Sequence, residues 1–234
     1  MWLADLAWPD VAERAAAGAV LAVPLGATEQ HGPHLPLSTD TDIAVALCRR
    51  LASARTDVLI APALAYGSSG EHDGFAGTLS IGQTAVEQIV LELGRSATKT
   101  FQRLLFVSAH GGNARPVTRA VEQLRSRSRD VMVFQPRWKG DPHAGRHETA
   151  LQLVIDPERV RMDRAVAGNT RPLVTLMPQL SVNGVRAVSA SGVLGDPTTA
   201  TAADGAALLD DLASELIRYV ATWRAEPAGA PGDR

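Results

Sequence analysis

Apolar residues come in short bursts separated by polar, glycine-rich stretches, and this alternation predicts the elements. Val20 to Leu25 is an unbroken apolar run that stops at Gly26, the pattern of a strand buried on both faces. Ahead of it, Pro9 near the start and Gly18 just past the end bracket a short helix over Val11 to Ala17. Behind it, Ala27 to Asp40 is polar and rich in Pro and Gly, too long for a simple connector, and a helix follows from about Thr41 to Ala54. The unit then recurs as strand Val58 to Ala61, Gly-rich loop Tyr66 to Thr78, helix Gln83 to Phe101, strand Leu104 to Ser108, helix Ala114 to Ser126 and strand Val131 to Gln135. Strands alternating with helices predict an α/β fold whose mainly parallel sheet is covered by helices on both faces. Between Asn169 and Thr201 the pattern weakens, with one or two edge strands expected in Val185 to Val193. Ala202 to Ala221 reads as an amphipathic helix, and the Pro-, Gly- and Ala-rich tail from 225 to 234 is expected to be disordered. No repeat or linker divides the chain, so residues 1 to 224 are expected to form one domain.

The composition, 45% apolar and 21% charged over 234 residues, is that of a soluble globular chain. A formal net charge of -2 with no long basic run gives no reason to expect nucleic acid or an anionic membrane as partner. The longest apolar stretches, such as Ala19 to Ala27, fall short of the roughly 18 residues a spanning helix needs, and the N-terminus has early acids without a basic flank. Neither a membrane span nor a signal segment is expected. A single cysteine, Cys48, excludes an internal disulfide framework and a Cys-rich zinc cluster, and a cytoplasmic location is the expectation. Cys48 itself suits the core of the first long helix.

In parallel α/β folds ligands sit at the carboxyl ends of the strands, and all six histidines fall in loops expected there. The densest cluster runs from Thr28 to His34 and on to Asp40. Glu29 and His31 alternate, so an extended segment points both the same way and lets them share a metal, while Asp40 can return to bridge two ions. Asp40 equally suits a helix N-cap. His110, followed by Gly111, Gly112 and Asn113, can present its ring to a cleft, or the segment is a plain strand-to-helix turn capped by Asn113. His143, His147 and Glu148 open a helix in an order that matches neither H-E-x-x-H nor H-x-x-E-H, so a single-zinc metalloprotease is a poor match. The loop Tyr66 to Thr78 adds Glu71 and His72 as candidate substrate contacts, with Ser69, Gly111 and Trp138 beside them. Four loops at one sheet edge, each bringing His or carboxylate, outweigh the separate bland readings. Oxygen and nitrogen donors without thiolates suit zinc, ferrous iron or manganese, and the set is too large for one ion.

These motifs, Thr28-Glu29-Gln30-His31-Gly32-Pro33-His34 to Asp40, Glu71-His72 to Phe75-Ala76-Gly77-Thr78, His110-Gly111-Gly112-Asn113 and His143-Ala144-Gly145 to Glu148-Thr149, resemble the creatininase family of binuclear metal amidohydrolases. The resemblance runs in order from about Val20 to Ala150. It implies a three-layer α/β/α sandwich, a homo-oligomer (a hexamer or similar), and hydrolysis of an amide C–N bond with two divalent ions per chain, Zn2+ and/or Fe2+ or Mn2+. It also implies one ion at Glu29, Asp40 and His110, the other at His31, Asp40 and Glu148, and proton transfer by His143. Creatininase itself has an aromatic residue and a metal-binding glutamate just after the third-motif histidine, where this chain has Gly111 and Gly112, and an acid where this chain has Pro142. Glu148 would therefore supply the missing carboxylate. The short chain and the wording of its motifs are most similar to the branch that trims the precursor peptide of a ribosomally made redox cofactor. That implies a peptide substrate; a small cyclic amide or formamide is the alternative, and a non-catalytic metal-binding protein the third.

Overall fold

The structure, a computed structural model, describes residues 1–225. The tail expected to be disordered therefore lies, from 226 onward, outside the described residues. Four strands, β1 (Val20–Leu25), β2 (Val58–Ile60), β3 (Arg103–Ser108) and β4 (Asp130–Phe134), form one sheet in the order β2-β1-β3-β4, every pair parallel. Seven α-helices accompany them among the described residues: α1 (Trp8–Ala16), α2 (Thr39–Ala54), α3 (Gly82–Ala97), α4 (Ala114–Arg125), α5 (Arg146–Ile155), α6 (Leu173–Asn183) and α7 (Ala202–Ala225).

Side chains of successive strand residues point to opposite faces, and this period of two separates the core into two layers. Val20, Ala22, Leu105 and Val107 pack on one face against Ile43, Leu47 and Leu51 of α2, Leu151 of α5 and Leu209, Leu212 and Leu216 of α7. Leu21, Val23, Leu104 and Phe106 pack on the other against Ala15 of α1, Val86 and Val90 of α3 and Val117, Val121 and Leu124 of α4. The fold is the expected three-layer α/β/α sandwich, and Cys48 is buried in the first of these layers. Helices α3 and α4 approach so closely that a Cβ added at Gly94 would lie 2.3 Å from Leu124 Cδ1.

One expectation fails. Val185 to Val193 contains no strand: Val185–Ala187 is a single 3-10 turn, and pairing nearby is confined to an isolated bridge between His143 and Leu194. The unexpected element is α6, whose β-branched residues and internal Pro178 argue locally against a helix. Leu176 anchors it by burial with Val185 and Leu194, so tertiary packing overrides propensity there.

Candidate metal centre

The carboxyl ends of the strands deliver the donors. Past β1, the loop is pinned where Glu29 N–H donates to Leu37 O (3.1 Å), Gln30 N–H to Thr78 Oγ1 (3.2 Å), and Leu79 N–H to Thr28 O (2.8 Å). This holds Glu29 and His31 fully buried. Asp40 sits in the first turn of α2, but its side chain makes no capping bond; it turns inward instead. His110 follows β3. Asn113, expected as a possible cap, donates through Nδ2 to Gly26 O and accepts from Ser68 N–H, both at 2.9 Å, and so clamps two loops together. Past β4, His143 and Glu148 enter from the start of α5. There Ala144 adopts a φ of 51°, a costly left-handed conformation for a residue with a Cβ, and its N–H donates to Glu148 Oε2 at 2.6 Å.

The five residues meet at Asp40. Its Oδ1 lies 3.3 Å from His31 Nε2 and its Oδ2 3.2 Å from His110 Nδ1. Glu29 Oε2 is 3.2 Å from His110 Nε2, and Glu148 Oε2 is 3.9 Å from His31 Nε2. Ligand atoms of Glu29, Asp40 and His110 all lie within 4.8 Å of one another, as do those of His31, Asp40 and Glu148. A third such group, Glu29, His31 and His143, shares one residue with each of the first two. Glu29 Oε2, His31 Nε2 and Asp40 Oδ2 are buried without an aligned hydrogen bond, a costly state for protein alone and the expected one for atoms that bind a cation. The residues present therefore fit metal ions, and the all-oxygen-and-nitrogen donor set suits zinc, ferrous iron or manganese alike.

Opposed charges shape the titration of the cluster. Burial works against the charged form of His31, yet Asp40, with Glu148 and Glu29, outweighs it and pushes the imidazole up to about 10. His110 is likewise raised well above the usual value, burial being overcome by Glu29 and Asp40. Asp40 is held far below the carboxylate range because His31 and His110 outweigh its burial. Burial drives Glu148 up to about 7, against the pull of His31. His143 is lowered well below its usual value by burial and by the neighbouring His31 and His72, so it is neutral at pH 7.

Orientation comes from residues behind the ligands. Gln30 Oε1 accepts from Gly32 N–H (2.8 Å), which turns its Nε2 towards His72 Nδ1 (2.8 Å). Gln30 O, which can only accept, lies 2.8 Å from His143 Nε2. His143 Nε2 also lies 3.0 Å from Gln30 Nε2, which can only donate, and Nδ1 faces the cavity, 3.9 Å from Glu29 Oε1. His72 Nε2 is 3.2 Å from Glu29 Oε1 and braces that carboxylate. Ser69 Oγ is buried 3.5 Å from His110 Nε2.

Above the cluster is a cavity of about 320 Å³, lined by Glu71, His72, Gly111 and four of the donors, Glu29, Asp40, His110 and Glu148, with Leu173, Met177, Leu180, Val185 and Leu194 as its apolar wall. The expected substrate contact Trp138 and two histidines of the motifs lie elsewhere. His34 bonds Thr149 Oγ1 (2.8 Å), while His147 and Trp138 line a separate groove with Leu208 and Asp211. Sequence reasoning missed Gln30 as the organiser of two histidines and α6 as the apolar wall. Alternation of Gln30 with Glu29 and His31 offered a faint signal for the first; nothing local offered one for the second.

Parallel sheet and strand-end donors define an α/β protein with a candidate metal centre. The chain belongs to the creatininase family: the family model described as creatinine amidohydrolase matches residues 4–220. Among individual relatives, the chain is 48% identical over 219 residues to the mycofactocin precursor peptide peptidase of Mycobacterium tuberculosis, covering 89% of this chain and 87% of that one. The enzyme of the same name from Mycolicibacterium smegmatis is 46% identical over 215 residues, covering 88% and 86%. A solved creatininase variant described as Zn-Zn type superposes with a TM-score of 0.82 at 25% identity, covering 94% of this chain and 97% of that one. Membership establishes a hydrolase acting on amide bonds. No helix among the described residues is long and apolar enough to cross a membrane.

Proposed function

We propose that this protein is a binuclear metal-dependent peptidase that releases the modified C-terminal, Val-Tyr-derived unit from the mycofactocin precursor peptide. The observation that carries the two-ion reading is the position of Asp40, whose two oxygens face His31 and His110 and so belong to two ligand groups at once. Support for the peptide substrate comes from the 46–48% identical relatives. Glu29, Asp40 and His110 would hold one ion, and His31, Asp40 and Glu148 the other; Glu148 takes the place left by Gly112. When bound, such ions activate water and polarise an amide carbonyl.

The chain's own residues supply the rest. His143, neutral and with Nδ1 towards the cavity, takes a proton from the attacking water and delivers it to the departing nitrogen, which leaves poorly as an anion. Gln30 O holds the opposite nitrogen and keeps the ring in that orientation. The apolar wall of Leu173, Met177 and Leu180 excludes water and packs against the substrate's side chains.

Elemental analysis of the purified protein beside Asp40→Ala and Glu148→Ala, with the precursor peptide as substrate, tests this. We expect about two divalent ions per chain, about one in Glu148→Ala, and loss of both ions and of turnover in Asp40→Ala. Two ions retained by Asp40→Ala would overturn the bridging role. Turnover of a cyclic amide but not of the peptide would move the substrate to a small molecule, and metal binding without turnover of either would leave a binding protein.

A further inference from the structure

Resting on the peptidase reading, we propose that Gly111 is a specificity-determining position: its missing side chain joins the metal cavity to a second groove, and the joined channel seats the peptide chain on one side of the scissile bond. The second groove, about 690 Å³, runs past Ser68, Ser80, Gln83, Arg115 and Ser181. Glu71, Gly111, Gly112, Met177 and Leu180 line both spaces, so the two adjoin at these residues.

The two glycines at this junction have different physical reasons to be there. A Cβ on Gly112 would lie 2.1 Å from Ser68 O and 2.5 Å from His110 Nε2, so packing demands glycine. A Cβ on Gly111 meets nothing within 4 Å, and its φ lies outside the left-handed region. Neither backbone strain nor crowding requires glycine at 111, and the space it leaves open is the passage itself. The metal cavity alone is at the small end of ligand sites, whereas the adjoining groove extends it. Hydroxyl and amide groups along one wall suit a peptide main chain, and the apolar side chains of α6 suit its substituents. Arg115, which forms no ion pair among the described residues, adds a cation favouring a carboxylate on the bound chain.

The test compares wild type with Gly111→Ala, Gly111→Trp and Ser181→Trp on two substrates: the mycofactocin precursor peptide, and a blocked dipeptide amide carrying the same scissile bond. Ser181 is exposed on the groove's wall and lines no part of the metal cavity. Gly111→Ala should behave as wild type. Ser181→Trp should keep its metal and lose about 100-fold or more in kcat/KM for the precursor while changing less than about threefold on the short amide, and Gly111→Trp should lose at least as much on the precursor. Full activity of Ser181→Trp on the precursor would overturn the proposal, as would its equal loss on both substrates, which would place the effect at the metal site. Wild type that binds metal and cleaves neither substrate would instead refute the peptidase reading, and this proposal with it. Should Gly111→Trp fail to fold, Ser181→Trp decides the matter alone.

Discussion

His143 shows how much of the chemistry is set by contacts of single atoms. Its Nε2 faces a carbonyl that can only accept, its Nδ1 faces the donors, and burial with two neighbouring imidazoles keeps it neutral. The two ligand groups built on Asp40 do not need this ring, which leaves it free to carry a proton. His143→Ala is therefore expected to keep its full metal content while kcat drops by about 100- to 10,000-fold. Loss of one ion in that variant would place His143 in the third ligand group, with Glu29 and His31, and remove it from proton transfer. Candidate donors were legible at this scale because Glu29, His31 and His110 are polar residues in the loops past the strands, and Asp40 and Glu148 lie in the first turns of the helices that follow. The roles of Gln30 and Asn113 were not, since each depends on carbonyls and amides brought from loops distant in the chain.

Elements differ in how far local pattern determines them. The four strands and helices α2 to α4 were readable to within a few residues because buried strands are continuous apolar runs and covering helices repeat every three to four residues. Helix α6 was not, because Pro178 and its β-branched residues speak for other conformations and it is held by tertiary packing, with Leu176 against Val185 and Leu194. Close packing of α3 on α4 makes Gly94 a test of rigidity remote from the donors. Gly94→Ala is expected to cost about 1–3 kcal/mol through the clash with Leu124, read as a lower urea midpoint, with metal content and kcat unchanged. A neutral result would show that the two helices can part without loss.

Across the whole molecule, the fold gathers three buried carboxylates and four imidazoles from all four strand ends into one water-poor space. Without metal, acids and imidazoles neutralise one another by sharing protons, which is why His31 and His110 are raised. An imidazole must lose its proton to bind a cation, so metal uptake should release protons, and apparent affinity should climb with pH until His31 titrates at about 10. Calorimetry in buffers of differing ionisation heat measures the release; none would contradict the protonated metal-free cluster. Chelation should likewise lower the melting temperature, by the loss of about 4 kcal/mol per ion at a metal concentration 1,000-fold above Kd. Asp40→Ala should erase that difference. The sequence by itself determined the α/β class, the parallel sheet, the candidate donors and the family, because hydrophobic period, loop composition and side-chain chemistry are local properties. Tertiary structure alone decided that Asp40 lies between two histidines, that His34, His147 and Trp138 stand apart, that α6 walls the cavity, and that Gly111 opens onto a groove. Each of these is a distance between segments far apart in the chain, and no local pattern encodes it.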